Sequence, residues 1–255
     1  MKIGEYWGAN HDHFDTGCFQ IYCGGTLAGD SGVYDSYHTP HRKNYTIRTS
    51  AHNCLTVWDP QRPTYGEWAE DAAYDGGTRR PCNGKEPKTV DLWREHYRMA
   101  TVTSHREGSD GCEIVGDLTE AYSHTCNRVI RRMVWEPKRG DCGVLTVQDT
   151  VECKDPRFVR AFHLHCQSEP MRVGNDVVID NGSHQLICRV KSPADAKIEL
   201  IGGEGRQFEV DGVNYDTPDK ADTEAGWGQI VITDGTVGTH TEFHVELEIR
   251  KKEKL

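Results

Sequence analysis

From Asn53 to Arg250, apolar and polar residues alternate with a period of two in one run after another. Successive side chains of a strand point to opposite faces, so this pattern builds half-buried strands; a helix needs a period near 3.6. The runs fall at 53–58, 96–103, 113–118, 129–135, 143–151, 158–166, 177–179, 185–190, 197–200, 229–233 and 241–250. Upstream, "GCFQIYCGGTLAGDSG" reads as a hairpin turning at Gly24-Gly25. Turn residues separate the runs ("REGSDG", "EPKRGDCG", "CKDPR", "VGNDV", "DNGSH", "IGGEG", "VDGVN"), and no segment sustains a helical period for three turns. The expected class is all-β: a large antiparallel β-sandwich, supersandwich-like, with little helix. Residues 1–255 are read as one unit, with 193–255 open as a smaller terminal β subdomain, since neither repeats nor a low-complexity linker mark a boundary. Residues 59–90 and the loop near Asp216 are polar and turn-rich, and read as surface excursions.

Composition narrows the function. No run of about 18 apolar residues exists, so no membrane-spanning helix is expected. A net charge of −10 disfavours nucleic acid, although a local basic cleft can still attract an acidic polysaccharide. The ten cysteines are scattered with no C-x-x-C pair, which excludes zinc ribbons. Several lie in strand-like runs as small hydrophobes, so mostly free thiols are expected, with disulfides as the alternative in an oxidising compartment. The N-terminus carries no apolar leader-like segment and runs directly into the densest motif. That placement leads us to expect the C-terminal part of a longer protein.

The motif is "ANHDHFDTG", Ala9 to Gly17. On a strand His11 and His13 share one face. The metal-capable residues nearby are His11, His13, Asp15, Asp30, His38, His41 and His52. His13, Asp30 and His52, carried by separate strands, supply two imidazoles and a carboxylate, a donor set that suits zinc. Spacing alone reads equally well as His52 capping a turn and Asp30 opening the Asp-Ser-Gly turn. Between them lie Tyr34, Tyr37 and Tyr45, interleaved with His38, His41, Arg42 and Arg48. Guanidiniums clamp carboxylates or sulfates and rings stack on sugar faces, so this loop suits an anionic sugar, with Tyr37 and Arg48 as substrate contacts. Its bland reading is an irregular solvated loop. "FHLHC" (His163, His165) is expected to be an ordinary strand with one wet face.

"NHDHFDTGCFQIYCGGTLAGDSGVY", followed by "KNYTIRTSAHNCLTV", resembles the start of the C-terminal β-domain of heparinase II/III-like polysaccharide lyases. Weaker likeness continues through "GDLTEAY", "RVIRRMVW" and "RAFHLHCQSEP". The order H-x-H, D-S-G-x-Y and A-H-N carries the resemblance. It implies a two-part enzyme in which an N-terminal α/α toroid supplies the main catalytic tyrosine and the β-sandwich closes the cleft. It implies a structural zinc on His13, Asp30 and His52, with His11 facing the substrate. The implied reaction is β-elimination on a uronic-acid polysaccharide, heparan sulfate-like or alginate-like. The proton α to the carboxylate leaves and the oxygen on carbon 4 is expelled, which requires positioned donors and a general acid–base. His11 and Tyr34 are the catalytic candidates. Without a toroid the domain is expected to bind metal and turn over poorly. The family suggests the periplasm, cell envelope or secretion, whereas the free thiols lean towards a cytoplasm. Two rivals remain: a non-catalytic carbohydrate-binding or structural β-module, and a jelly-roll iron oxygenase using His13, Asp15 and a further histidine.

Overall fold

A computed structural model describes residues 1–4, 13–61, 75–79, 88–217 and 226–252. The alternating runs become two antiparallel sheets facing one another. The larger is ordered β4 (Thr101–Gly108), β5 (Gly111–Asp117), β6 (Cys126–Pro137), β7 (Gly143–Cys153), β16 (His240–Lys251), β11 (His184–Ser192), β10 (Asp176–Asp180), β9 (Met171–Val173). The smaller is ordered β12 (Lys197–Gly202), β15 (Gly228–Asp234), β8 (Val159–Cys166), β3 (Leu55–Trp58). Two hairpins complete the set: β1 (Ile21–Tyr22) with β2 (Thr26–Ala28), and β13 (Glu209–Val210) with β14 (Val213–Asn214). The expected antiparallel β-sandwich with little helix is the fold observed.

Period two explains the core. Val129 and Met133 of β6, Val147 and Val151 of β7, and Phe243, Val245 and Leu247 of β16 project from the larger sheet. They meet Leu55 and Val57 of β3, Phe162 and Leu164 of β8, and Ile230 and Ile232 of β15. Cys126, Cys153, Cys166 and Cys188 fill gaps in the same layer as small hydrophobes. The nine described cysteines are free thiols; Cys82 lies outside the described residues. Residues from 193 onward, left open as a separate subdomain, supply β12 and β15 to the smaller sheet and β16 to the middle of the larger one.

Three local expectations need correction. The run 96–103 is not one strand, because its first residues end a short helix, α1 (Val90–Tyr97). Thr89 caps that helix by accepting from the Leu92 amide, and Trp93 stacks on Tyr97 one turn later, with ring centroids 5.3 Å apart. Strand β4 then runs through "REG", read from sequence as part of a turn. It lies exposed at the sheet edge, where Arg106 and Glu107 discourage further pairing. The outward face of β8 is not wet. His163 and His165 are both buried, His165 beneath the segment carrying Ser50 and His163 between Thr56 and Gln229.

One charged pair sits inside the sandwich. Arg131 of β6 and Asp149 of β7 are direct cross-strand partners, and both side chains are fully buried. The guanidinium binds the carboxylate through two bonds, Nε to Oδ1 at 2.7 Å and Nη2 to Oδ2 at 2.8 Å. Its remaining Nη1 donates to the carbonyls of Gly17 at 2.8 Å and Asn53 at 3.1 Å. The core thereby holds two chain segments that lead directly to the candidate site.

Candidate functional site

Three irregular segments meet beside the smaller sheet. The Phe14 amide donates to Ile47 O at 2.8 Å, and Thr49 Oγ1 donates to Phe14 O, so His13 runs along residues 47–49. Ser31 N donates to Ala51 O at 2.9 Å, bringing Asp30 beside His52. His52 follows a single helical turn, Thr49–Ala51, and returns to extended backbone on its way into β3. Asn53 locks the arrangement. Its Nδ2 donates to Phe19 O at 2.7 Å and Gly29 O at 3.2 Å, and its Oδ1 accepts from the His165 amide at 2.7 Å.

This packing brings His13, His52 and Asp30 together. His13 Nδ1 lies 3.3 Å from His52 Nε2, and His52 Nδ1 lies 3.0 Å from Asp30 Oδ1. His52 stands in the middle and offers a different ring nitrogen to each neighbour. The three are therefore not a set whose donor atoms all lie within 4.8 Å of one another. The His52 Nδ1 and Asp30 Oδ1 atoms are both buried, and they face one another as an ion pair. Gln20 Nε2 donates to the other Asp30 oxygen at 2.7 Å.

Electrostatics favour neutral His13 and His165 rings and a charged Asp30 carboxylate. Burial, reinforced by the nearby His52, pushes the His13 pKa down to about 4. Burial and the neighbouring His163 and His52 push His165 to about 3. Burial alone would raise Asp30, but its contacts with His52 and Gln20 outweigh it and hold the carboxyl below its ordinary value. Sequence reasoning missed His165 and Gln20 as neighbours of this group. The repeated H-x-H of "FHLHC" was the available signal for His165. Its Nε2 meets Ser50 O at 2.9 Å, while its Nδ1 is buried without a partner.

The other candidates separate. His11 lies outside the described residues. Tyr34 is exposed, at 71%, with its ring open to solvent. Tyr37 is exposed at 40% and carries the Arg42 guanidinium 4.6 Å above its ring. Arg48 is buried: its Nε donates to Lys43 O at 2.9 Å and its Nη1 lies 3.5 Å from Asp75 Oδ2. Burial raises the Asp75 carboxyl to about 6 even though Arg48 draws it down. His41 is also buried, with Nε2 accepting from Val33 N and Nδ1 facing Tyr215 O. Asp15 is paired with Lys2 at 2.5 Å. A groove of about 610 Å³ crosses the outer face of the smaller sheet between Ser50, Asp75, His163 and Lys197.

The family model described as "Heparinase II/III-like, C-terminal" matches residues 1–248. The chain belongs to that family. No curated protein matches this heparinase II/III-like domain significantly. Among solved structures it is similar to the heparan sulfate lyase HepC from Pedobacter heparinus, with a TM-score of 0.61 and 13% identity over 97% of this chain and 32% of that one. A mutant of the same lyase matches with a TM-score of 0.62 and 14% identity, covering 98% and 32%. A heparinase III matches with a TM-score of 0.60 and 11% identity, covering 100% and 32%. The heparinase-like chain thus spans about a third of the length of the structures it matches. At such identities the likeness establishes the fold.

Proposed function

We propose that this domain is the β-sandwich half of a lyase that cleaves a uronic-acid polysaccharide of the heparan sulfate type by β-elimination, and that it carries a structural zinc. Family membership supports the lyase class. The observation that carries the metal reading is the gathering of His13, His52 and Asp30 from three segments, with His52 Nδ1 3.0 Å from Asp30 Oδ1 and His13 on the far side of the same ring. Two imidazoles and one carboxylate are a common zinc donor set, and a cation beside His52 and Asp30 would have both within reach. His13, Asp30 and His52 would hold it, with His13 turning its partly exposed ring towards the shared point. When bound, zinc would cross-link three chain segments and fix their neighbours.

The remaining chemistry is assigned to His11, Tyr34, Tyr37 and Arg48. His11 neutralises the substrate carboxylate or accepts the α-proton, and the exposed Tyr34 hydroxyl offers a proton to the departing oxygen on carbon 4. Tyr37, stacked under Arg42, presents a sugar-facing ring. Arg48 serves from below, tying residues 43 and 75 together. Asp15 is occupied by Lys2, and Asp30 is the carboxylate beside His52, which disfavours the iron-oxygenase reading.

Elemental analysis and activity test this reading together. The His13→Ala variant should lose zinc and melt at a lower temperature, because metal binding is linked to folding. In the longer enzyme, His11→Ala should keep its zinc yet lose about a hundredfold to ten-thousandfold of the absorbance increase from unsaturated uronides on heparan sulfate. Undiminished zinc in His13→Ala refutes the ligand set. Undiminished lyase activity in His11→Ala refutes the catalytic assignment.

A further inference from the structure

A second group of metal-capable side chains lies at the opposite end of the β1–β2 hairpin from Asp30. Cys23, Cys142 and His184 bring two sulfurs and a ring nitrogen within 4.8 Å of one another. They come from three distant parts of the chain. Cys23 occupies the β1–β2 turn, Cys142 immediately precedes β7, and His184 opens β11. Strand β16 lies between β7 and β11, pairing Gly143 with Ile249 and His184 with Lys251. The register therefore sets Cys142 and His184 at one end of the larger sheet, and the hairpin turn lies across that end.

Each member is held by hydrogen bonds to residues outside the cluster. Asn181 Nδ2 donates to Cys23 O at 3.0 Å, and Asn181 Oδ1 accepts from the His184 amide at 2.8 Å. Ser183 Oγ lies 2.9 Å from His184 Nδ1 and 3.3 Å from Gly24 O. The Cys142 amide donates to Asp141 Oδ1 at 2.9 Å, and the same oxygen accepts from Lys251 N at 2.8 Å. Gly24 permits the close approach: at φ +60°, a Cβ there would stand 2.6 Å from Ser183 Oγ and 2.8 Å from His184 Nδ1.

The Cys23 and Cys142 sulfurs are 3.2 Å apart. Two thiolates on one tetrahedral zinc, each about 2.3 Å from the metal, stand about 3.7 Å apart, so a half-ångström adjustment admits the ion. A disulfide would use only the two sulfurs and leave the converging imidazole unexplained, and it would need an external oxidant. We propose that Cys23, Cys142 and His184 form a second metal site, taking a thiophilic divalent ion, zinc above all, with water as the fourth ligand. Two thiolates, released of their protons on binding, neutralise the ion, and the imidazole completes a donor set selective against magnesium and calcium. The site fastens the β1–β2 hairpin to the sheet, and β2 runs directly into Gly29 and Asp30. It stands whether or not His13, Asp30 and His52 bind zinc, since no ligand is shared.

Cobalt(II) distinguishes the two sites because only this one has sulfur ligands. Reduced, metal-free protein titrated with cobalt under anaerobic conditions should develop a thiolate-to-cobalt charge-transfer band in the near ultraviolet. The band should vanish in Cys142→Ser and persist in His13→Ala, and zinc content should fall by one equivalent in Cys142→Ser. A measurement on the unaltered chain guards against a variant that fails to fold: zinc should slow alkylation of Cys23 and Cys142 selectively, as mapped by peptide mass. The proposal is overturned if no thiolate band appears in the wild type, or if zinc leaves alkylation of both cysteines unchanged. It is equally overturned if a Cys23–Cys142 disulfide forms while Cys142→Ser keeps its full zinc content.

Discussion

Replacing Arg131 with methionine tests whether the core charge pair supports the site. The side chain makes four hydrogen bonds in a setting with no solvent: two to Asp149 and one each to Gly17 O and Asn53 O. Its guanidinium also lies against Phe19 and Phe162, 5.9 and 5.5 Å from their ring centroids. Methionine fills much of the volume but leaves the Asp149 carboxylate buried and alone. Breaking one side of a buried pair costs about 3–5 kcal/mol, and each orphaned carbonyl adds on the order of 1 kcal/mol. A loss of about 5–7 kcal/mol is expected in urea unfolding. For a chain of this size it corresponds to a fall in Tm of roughly 10–28 °C.

The double replacement Arg131→Met/Asp149→Leu removes both charges. Only the two carbonyls then lack partners, so the loss should shrink to about 2 kcal/mol, less than either single change. Because Gly17 and Asn53 adjoin the segments carrying His13 and His52, metal affinity should fall in both variants even where stability recovers. If the double variant loses the sum of the two single losses, the pair is not coupled and the account is wrong. A loss under about 1 kcal/mol in Arg131→Met would refute it as directly.

Other changes probe separate joints of the structure. Asn53→Ala removes three buried hydrogen bonds that join residues 19, 29 and 165, and should cost about 2–4 kcal/mol by urea unfolding, with a loss below ~1 kcal/mol counting against its locking role. Gly76→Ala should disrupt β3, because Gly76 sits at φ +74° and a Cβ would lie 2.5 Å from the Val57 carbonyl carbon; an unchanged Tm would contradict that contact. Glu248 concerns acid stability. Burial alone would raise its carboxyl, but Lys138, Arg250 and Arg189 draw it down to about 2 from an ordinary value of 4.5. A depressed carboxylate stabilises the fold above pH 4.5, and that contribution disappears as pH falls through about 2. Lys138 and Arg250 are half-exposed, so solvent screening leaves about 1–2 kcal/mol at neutral pH. The wild type should exceed Glu248→Gln by that amount near pH 7 and converge with it in strong acid; a pH-independent gap would refute the sign.

Strand parity made most of the sandwich legible, because a buried face and a wet face force opposite residue types onto alternate positions. The hidden parts are those where parity gives no warning. Helix α1 ends inside a β-like run because a Thr89 cap and a Trp93–Tyr97 stack outweigh the alternation that follows. The segment covering the outer face of β8 comes from residues more than a hundred positions earlier, so nothing local marked His165 as dry. Arg131 was legible in principle. In "RVIRRMVW" it shares its face with Val129 and Met133, and in β7 Asp149 shares a face with Val147 and Val151. A charge on each of two inward faces points to an internal pair, but only the register of β6 on β7 makes them opposite one another. The motif order at His13, Asp30 and His52 likewise gave residue types, whereas their in-line arrangement around His52 depends on how three loops pack.

That arrangement has a consequence for what the group can bind. Around His52 the protein gathers the imidazoles of His13 and His165, both held neutral near pH 7 by burial, and the Asp30 carboxylate, held ionised. The Asp30 carboxylate thus brings a charge to a place where two buried polar atoms, His165 Nδ1 and Ser50 Oγ, lack hydrogen-bond partners. Such a deficit costs stability unless something satisfies it. A water molecule can satisfy lone pairs but leaves the charge uncompensated. A divalent cation answers both needs, and the donors match a borderline metal better than an oxygen-seeking one. Ser50 and His165 lie around the Asn53 locking point, on segments joined by its hydrogen bonds, so filling the deficit would tighten the same joints that Arg131 grips from the core. Metal binding, as proposed, and core packing would then be two grips on one seam, and loosening either should be felt at the other.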